Sequence, residues 1–410
     1  MKVLHLNFSD NGGAAIACRR THLALLASGM ESKMLVAKKS LDIPEVYELS
    51  FPRLRKIWRV LQLKYESWQK RLIPQSDKSL RHGNSLSGFI LKEIKRFNPD
   101  IVHLHWINAG MMSLKDIQKL DVPTVWTAHD LWPITGSCHC AGSLMTESMA
   151  EQYPQTFENV DTSGYSARYG KEFRKLMLRQ PEGLITLCRP FEALARKAQW
   201  CSNRIITRIP NCLDLSLFSP VNDKERLRSK LGLPEDKILL LFVAASLNAY
   251  HKGIDLLLES LQQMDKDMRD RCELVIVGGA VNLDSTLEMN CHVMGSISSE
   301  EKIARIYQAC DVFLCPSRED NFPNTVAESS SCGLPAVAYR TGGLPDMIDH
   351  LENGYLAIAF DSADFANGIN LAVNRRVHWS QNSRIKAESL YSSQEHVSKI
   401  IAFYASFLSH

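Results

Sequence analysis

The sequence has no long apolar run. Its longest, Ile238–Leu247, is interrupted by Ser246 and falls far short of the ~20 residues a membrane-spanning helix requires. Nor is there an excess of one charge. Over 410 residues, 48 Lys and Arg stand against 45 Asp and Glu, a formal charge of +3, and the mean hydropathy is −0.16. So balanced a chain carries no molecule-wide field for nucleic acid or a bilayer, although a local basic patch remains compatible with it. The first strand-like segment is not followed by the G-x-G-x-x-G fingerprint of dinucleotide sites. The opening MKVLHLNFSD holds His5 and Asn7 inside its apolar stretch, so it reads as a strand, not as an export signal. Paired cysteine spacing is missing too. The 11 cysteines are odd in number and scattered, many in apolar segments, which fits reduced, buried thiols of a cytoplasmic protein. Only Cys138-His139-Cys140 cluster, with no second Cys/His pair nearby. A zinc site needs about four ligands at matched spacing, so no metal is expected.

What is present is alternation. Short apolar runs start at Val3, Met34, Ile101, Thr124, Leu184, Ile238, Glu273, Val312 and Pro335. Each leads into a helical period or a turn. Apolar strands alternating with helices imply parallel sheets covered on both faces. There are too many units for one sheet, so two doubly wound α/β domains are expected. The stretch around IPNCLDLSLFSPVND, with Pro210 and Pro220, has little periodicity and suits a linker. The domains are therefore read as 1–212 and 213–391, followed by a terminal helix over 392–410 with apolar Val397, Ile400, Ile401, Tyr404 and Leu408.

One segment differs in character. Arg53 to Arg71 holds seven basic residues and one acid, and Trp58, Leu61, Tyr65, Trp68 and Leu72 share a helical face. Tryptophan mixed with Lys and Arg is an interfacial composition. The expectation is contact of 53–72 with an anionic membrane surface; a helix packing its aromatic stripe on the core is the competing reading.

Ligands of open parallel sheets bind beyond the carboxyl ends of strands, so the residues there matter most. Gly12-Gly13 follows the first run and opens a helix, where backbone amides attract phosphate. His129 ends the run TVWTAH and faces the same side, suited to hydrogen-bonding a sugar, while His103 and His105 are expected in the core. Lys252 sits at a helix start after the Ile238 run and could hold a diphosphate. In PSREDNFPNTVAES, Asp320 and Glu328 lie eight residues apart around Asn321-Phe322-Pro323-Asn324. Pro323 can open a helix, placing both carboxylates and the first amides on one side. Carboxylates accept from vicinal diols and amides donate to oxyanions, a combination suited to a sugar joined to a diphosphate. Gly342-Gly343 offers a second close backbone approach.

These segments, in this order, resemble the retaining family 4 glycosyltransferases of the GT-B fold, with the nearest likeness to the bacterial capsule, colanic-acid and O-antigen branch. The likeness covers nearly the whole chain: Gly12-Gly13, HLHW at His103, TAHDLWPITGSCH at Thr127, IPNCLDLSLFSP, HKGIDLLLES and PSREDNFPNTVAES. Three departures stand out. Asp320 replaces the usual Glu, Cys212 replaces a linker glycine, and Ser246 stands near where many members carry an Arg.

The resemblance implies two Rossmann-like domains around a central cleft, with the terminal helix returning to the first. It implies a UDP-, GDP- or ADP-sugar as donor and no cofactor. By the same likeness Glu328 binds the ribose hydroxyls and Asp320 those of the transferred sugar. The amides of Phe322, Pro323's successor Asn324 and Thr325, with Asn321 beside them, support the donor. Lys252 neutralises the diphosphate beside Ser246, Gly12 and Gly13 approach it, and His129 lies near the sugar. The implied acceptor is a glycan or an undecaprenyl-diphosphate-linked saccharide, handled at the inner face of the plasma membrane. A GT-B epimerase and a binding protein without catalysis share the same frame and remain as alternatives.

Overall fold

The computed structural model describes residues 1–49, 60–61, 64, 90–135, 177, 180–201, 203–247, 249–279 and 287–408. It divides into two compact units, Met1–Asn211 with Gln394–His410, and Cys212–Ser393. The Cys138-His139-Cys140 cluster lies outside the described residues. So does the 53–72 segment, apart from Val60, Leu61 and Lys64, which are exposed.

The first unit is a seven-stranded parallel sheet. Its strands are β1 (Lys2–Ser9), β2 (Glu31–Lys38), β3 (Val46–Glu48), β4 (Ile101–Leu104), β5 (Thr124–Thr127), β6 (Gly183–Thr186) and β7 (Ile205–Arg208), in the order β3-β2-β1-β4-β5-β6-β7. Parallel neighbours need a crossover. Helix α1 (Gly13–Ala27) supplies the one between β1 and β2, burying Cys18, His22 and Leu25. The strand order reverses between β1 and β4, which pair directly with His5 beside His103.

The terminal helix, Ser393–Ala405, belongs mostly to this unit. Its buried His396, Val397, Ile400, Phe403 and Tyr404 recur at helical spacing. The apolar ones pack on Val3, Ile101, Val125 and Ile185 of the sheet. Gly183 shows how close that approach is: a Cβ there would meet the rings of Phe407 and Phe403 at 2.5 and 2.7 Å.

The second unit repeats the design with six parallel strands: β8 (Ile238–Ala244), β9 (Cys272–Gly278), β10 (Cys291–Val293), β11 (Val312–Cys315), β12 (Ala336–Tyr339) and β13 (Gly354–Ala357), ordered β10-β9-β8-β11-β12-β13. Helices α2 (Ile254–Gln262), α3 (Glu300–Ala309) and α4 (Asn324–Ser331) cover it, with the 30-residue α5 (Ser362–Tyr391). The core joins Leu240, Leu274 and Val312 of the sheet to Phe365, Ile369 and Trp379 of α5. Here the order reverses between β8 and β11. Among the described residues, no helix is long and apolar enough to cross a membrane. Among the described residues the nine cysteines form no disulfide, and eight of them are buried.

Candidate functional site

In the second unit, the loops after β8 and β11 flank the point where strand order reverses. Lys252 comes from the first loop and Asp320 from the second. Their side chains meet at 2.5 Å, with 27% and 17% of each exposed, so the pair is sheltered but reachable. Burial works against the Lys252 ammonium, yet the Asp320 carboxylate and its hydrogen bond outweigh it and hold its pKa above the usual lysine value. The lysine therefore stays charged. His251 next to it is pushed below the ordinary histidine range, first by burial and then by the Lys252 charge.

Two glycines make this geometry attainable. Gly253 has φ +67°, and a Cβ there would lie 2.0 Å from the Pro316 carbonyl oxygen. Gly342 has φ +53°, with the Asp320 carbonyl oxygen 2.0 Å from where its Cβ would be. The next amide, Gly343 N–H, donates to that same oxygen at 3.0 Å. The β12 loop thus fixes the backbone carrying Asp320.

Pro323 caps α4 instead of occupying its first turn, and the helix begins at Asn324. The helix therefore starts one residue later than the sequence indicated. Asn321, Phe322 and Pro323 are buried, Asn324 and Thr325 partly so. Glu328 is only 6% exposed and accepts from the Tyr307 hydroxyl at 2.9 Å. Ser246 is exposed, its carbonyl accepting from the Ala249 amide at 3.2 Å.

Sequence reasoning passed over Arg318. Its guanidinium forks onto Asp255 at 2.8 and 2.6 Å and lies 4.2 Å from the centre of the Tyr250 ring. Its own amide donates to the His251 carbonyl at 2.9 Å. Arg318 therefore ties the β11 loop to the β8 loop. The signal was an Arg two residues before Asp320. Tyr307 was missed as well, because only folding brings α3 beside α4.

In the first unit, Gly12 and Gly13 lie where expected, between the carboxyl end of β1 and α1. Gly12 has φ +104°, and among the described residues nothing beyond the adjoining backbone lies within 4 Å of a Cβ built on either glycine. The backbone is thus openly approachable there. His129 follows β5 and is half-buried, less exposed than its loop position implied. Burial lowers its pKa to about 4. Its Nε2 is 2.8 Å from Nδ1 of His105, whose Nε2 is 3.1 Å from Nδ1 of His5. His103 and His105 are buried, as the sequence indicated, at 0% and 3% exposure. That they join His5 and His129 in one polar layer was not read, although alternate residues of a strand share a face. One nitrogen each of His5 and His105 lies within 4.8 Å of the Cys18 sulfur and of the other.

The Asp265-Lys266-Asp267 string is exposed, and Lys266 pairs with Asp270 within its own helix. It is a solvated charged surface.

Comparison with known proteins bears on both units. Residues 11–217 match the family model described as Glycosyltransferase Family 4, and residues 223–388 the one described as Glycosyl transferases group 1. The chain is 25% identical to a D-inositol 3-phosphate glycosyltransferase of Geodermatophilus obscurus, over 96% of this chain and 85% of that one. A relative of the same name from Thermobifida fusca is 34% identical over 40% of this chain and 41% of its own. Among solved structures, the sucrose-phosphate synthase of Thermosynechococcus elongatus superposes with a TM-score of 0.70 at 18% identity, covering 99% and 98% of the two chains. Anabaena HepE, solved in complex with UDP-glucose, gives 0.66 at 17% identity, covering 99% and 100%. Two Rossmann-like parallel-sheet units, built as in those GT-B structures and matched along their length by the family's models, make this chain a glycosyltransferase that belongs to glycosyltransferase family 4.

Proposed function

We propose that this enzyme moves a sugar, with retention of configuration, from a nucleoside-diphosphate sugar to a hydroxyl of a glycan or lipid-linked acceptor in the assembly of surface polysaccharide. The observation that carries the reading is the Lys252–Asp320 pair at the strand-order reversal of the second unit. A charged lysine there is suited to the leaving diphosphate, and Asp320 to sugar hydroxyls. A bound donor would take over both partners, exchanging one ion pair for two charge-assisted contacts. Glu328, held by Tyr307, serves the ribose. The amides opening α4, with Asn321 and Phe322 before it, line the donor, and Ser246 lies beside the diphosphate. In the first unit, the family likeness gives Gly12 and Gly13 to the diphosphate and His129 to the sugar.

The chemistry is departure of the diphosphate from an oxocarbenium-like centre. The acceptor hydroxyl attacks the anomeric carbon on the face the diphosphate leaves, and its proton passes to the departing phosphate oxygen. The protein's share is electrostatic stabilisation of that phosphate, with neither metal nor enzymic nucleophile. Retention, the UDP-, GDP- or ADP-sugar donor and the acceptor class follow the family likeness. HepE was solved with UDP-glucose, which makes UDP-sugars the first donors to try.

A thermal-shift panel of UDP-, GDP- and ADP-sugars tests the donor, since a ligand of the folded state raises its apparent stability. One base should stabilise the protein, and the stabilising sugar should be transferred to a lipid-diphosphate saccharide. No stabilisation and no donor consumption would overturn the proposal. Conversion of donor without acceptor would replace it with an epimerase. Peripheral contact of 53–72 with an anionic bilayer completes the reading. Replacing Trp58 and Trp68 by Ala should reduce flotation with anionic liposomes, and equal flotation would remove that element.

A further inference from the structure

Six histidines of the first unit are packed into one polar layer. His5 of β1, His103 of β4 and His105 just past the end of β4 have ring centres 4.1 to 5.3 Å apart. His129 stacks on His105 at 5.1 Å. Nearly every ring nitrogen is engaged. His22 takes Ser32 and the Pro44 carbonyl, His396 takes Thr21 and the Pro210 carbonyl, and His103 takes Tyr404 and Thr127. The remaining three form a chain, His5–His105–His129, through two nitrogen–nitrogen hydrogen bonds of 3.1 and 2.8 Å. Its blind end is His5 Nε2, buried and without a partner among the described residues. Its other end is Nδ1 of His129, past the carboxyl end of β5.

We propose that His105 is a positioning residue, which donates from Nδ1 to Nε2 of His129 and thereby fixes His129 as the tautomer that presents an Nδ1–H to the sugar nucleotide. The proposal rests on the reading of His129 as a donor-facing residue.

The argument is one of proton counting. Burial keeps the pKa values of His5 and His105 well below the ordinary value, and that of His129 at about 4. Each ring is therefore neutral near pH 7 and carries one N–H. Three neutral rings joined by two links have only two arrangements. If all protons point inward, His5 Nε2 carries an N–H in a buried place with nothing to accept it. If all point outward, that nitrogen is a bare lone pair, and the Cys18 thiol, kept protonated by burial, has its sulfur within 4.8 Å of one nitrogen of His5. A buried orphan N–H is rarer in folded proteins than a buried acceptor left without a donor. The outward arrangement wins, and it ends with the proton of His129 on Nδ1. By bonding one ring nitrogen of His129, His105 then sets which nitrogen is left to do the work. His129 offers a neutral donor to a hydroxyl or phosphate oxygen. It does not offer a base.

Nitrogen-15 long-range correlation spectra of the intact protein, labelled at histidine, read the tautomer directly. The His129 signal is identified by its loss in His129→Ala. The wild type should show His129 protonated at Nδ1, and protonation at Nε2 would overturn the proposal without any other variant. His105→Asn keeps an amide donor near the Nδ1 position, and His105→Gln moves it to the Nε2 position. The Asn variant should keep the His129 tautomer and most of kcat. The Gln variant should lose the tautomer and at least ~10-fold in kcat, with donor KM changed far less. An unchanged tautomer in His105→Gln would also overturn the proposal. Full transfer by His129→Ala would instead sink the functional reading of His129 and leave the tautomer result standing.

Discussion

The two units wind their sheets alike, each reversing strand order beside its first strand, yet they furnish the reversal in opposite ways. The first uses neutral rings. His5, His103 and His105 are 0–3% exposed, and burying an imidazole is offset when its nitrogens find hydrogen-bond partners. The second uses full charges. Lys252–Asp320 and Arg318–Asp255 keep between 14% and 63% of their side chains in solvent, which spares them the desolvation penalty of deep burial. One topology thus supports a dry, uncharged site and a wet, charged one, and only the loop and face residues decide which.

Acid separates them most. The buried His396 has its pKa lowered to about 4 by burial, against the pull of its bond to the Pro210 carbonyl. An unfolded histidine titrates near ~6.5. As pH falls, the unfolded chain takes the proton first. The stability this residue contributes is complete above about 6.5 and is lost on the way down to about 4, amounting to ~3 kcal/mol. His5, His22, His103, His105 and His129 are lowered in the same direction. In the second unit His251 and His350 are lowered. Its Asp255, held down by the Arg318 hydrogen bond, loses its contribution only below the ordinary aspartate range. Segment-resolved hydrogen exchange at pH 7 and pH 5 should show the first unit opening far more. Equal loss in both would break the comparison.

Lys252→Ala comes next. If the charged site acts on the leaving group, kcat should fall ~10²–10³-fold, the usual cost of one such donor. Unchanged turnover would remove Lys252 from the proposal. Gly342→Ala is smaller. Its Cβ would collide with the Asp320 carbonyl from a backbone conformation that alanine dislikes, costing ~1–3 kcal/mol. Thermal unfolding should register the loss, and donor KM should rise with it because the strain falls on Asp320. The smallest effect is expected of Arg318→Lys. Asp255 is 63% exposed, so the pair is worth under ~1 kcal/mol. Lysine cannot reproduce the fork or the stacking on Tyr250, so donor affinity should weaken a few-fold with Tm nearly unchanged.

Nine strands were legible in the sequence, and all nine are interior to their sheets. The four that were not, β3, β7, β10 and β13, are the edges of the two sheets. An interior parallel strand is buried on both faces and reads as a continuous apolar run. β3 and β10, by contrast, have three residues each, mostly in contact with solvent, and β7 exposes both of its ends. β13 is buried but opens with Gly354, which blurs its signal. The same logic governs the sites. Asp320, Lys252 and Glu328 sat in motifs whose spacing could be read along the chain. Tyr307, Arg318's grip on Asp255 and the histidine chain depend on partners tens of residues away, which no local pattern records.

The course of the chain also sets an order of assembly. Residues 1–211 enter the first unit early, but Val397, Ile400, Phe403 and Tyr404, which close its sheet, are synthesised after everything in 212–393. On a ribosome, where domains ordinarily mature from the amino end, the later-encoded unit is here complete while the earlier one still lacks its final helix. A stop codon immediately before that helix would therefore leave the amino-terminal half, not the truncated end, as the part exposed to aggregation and degradation.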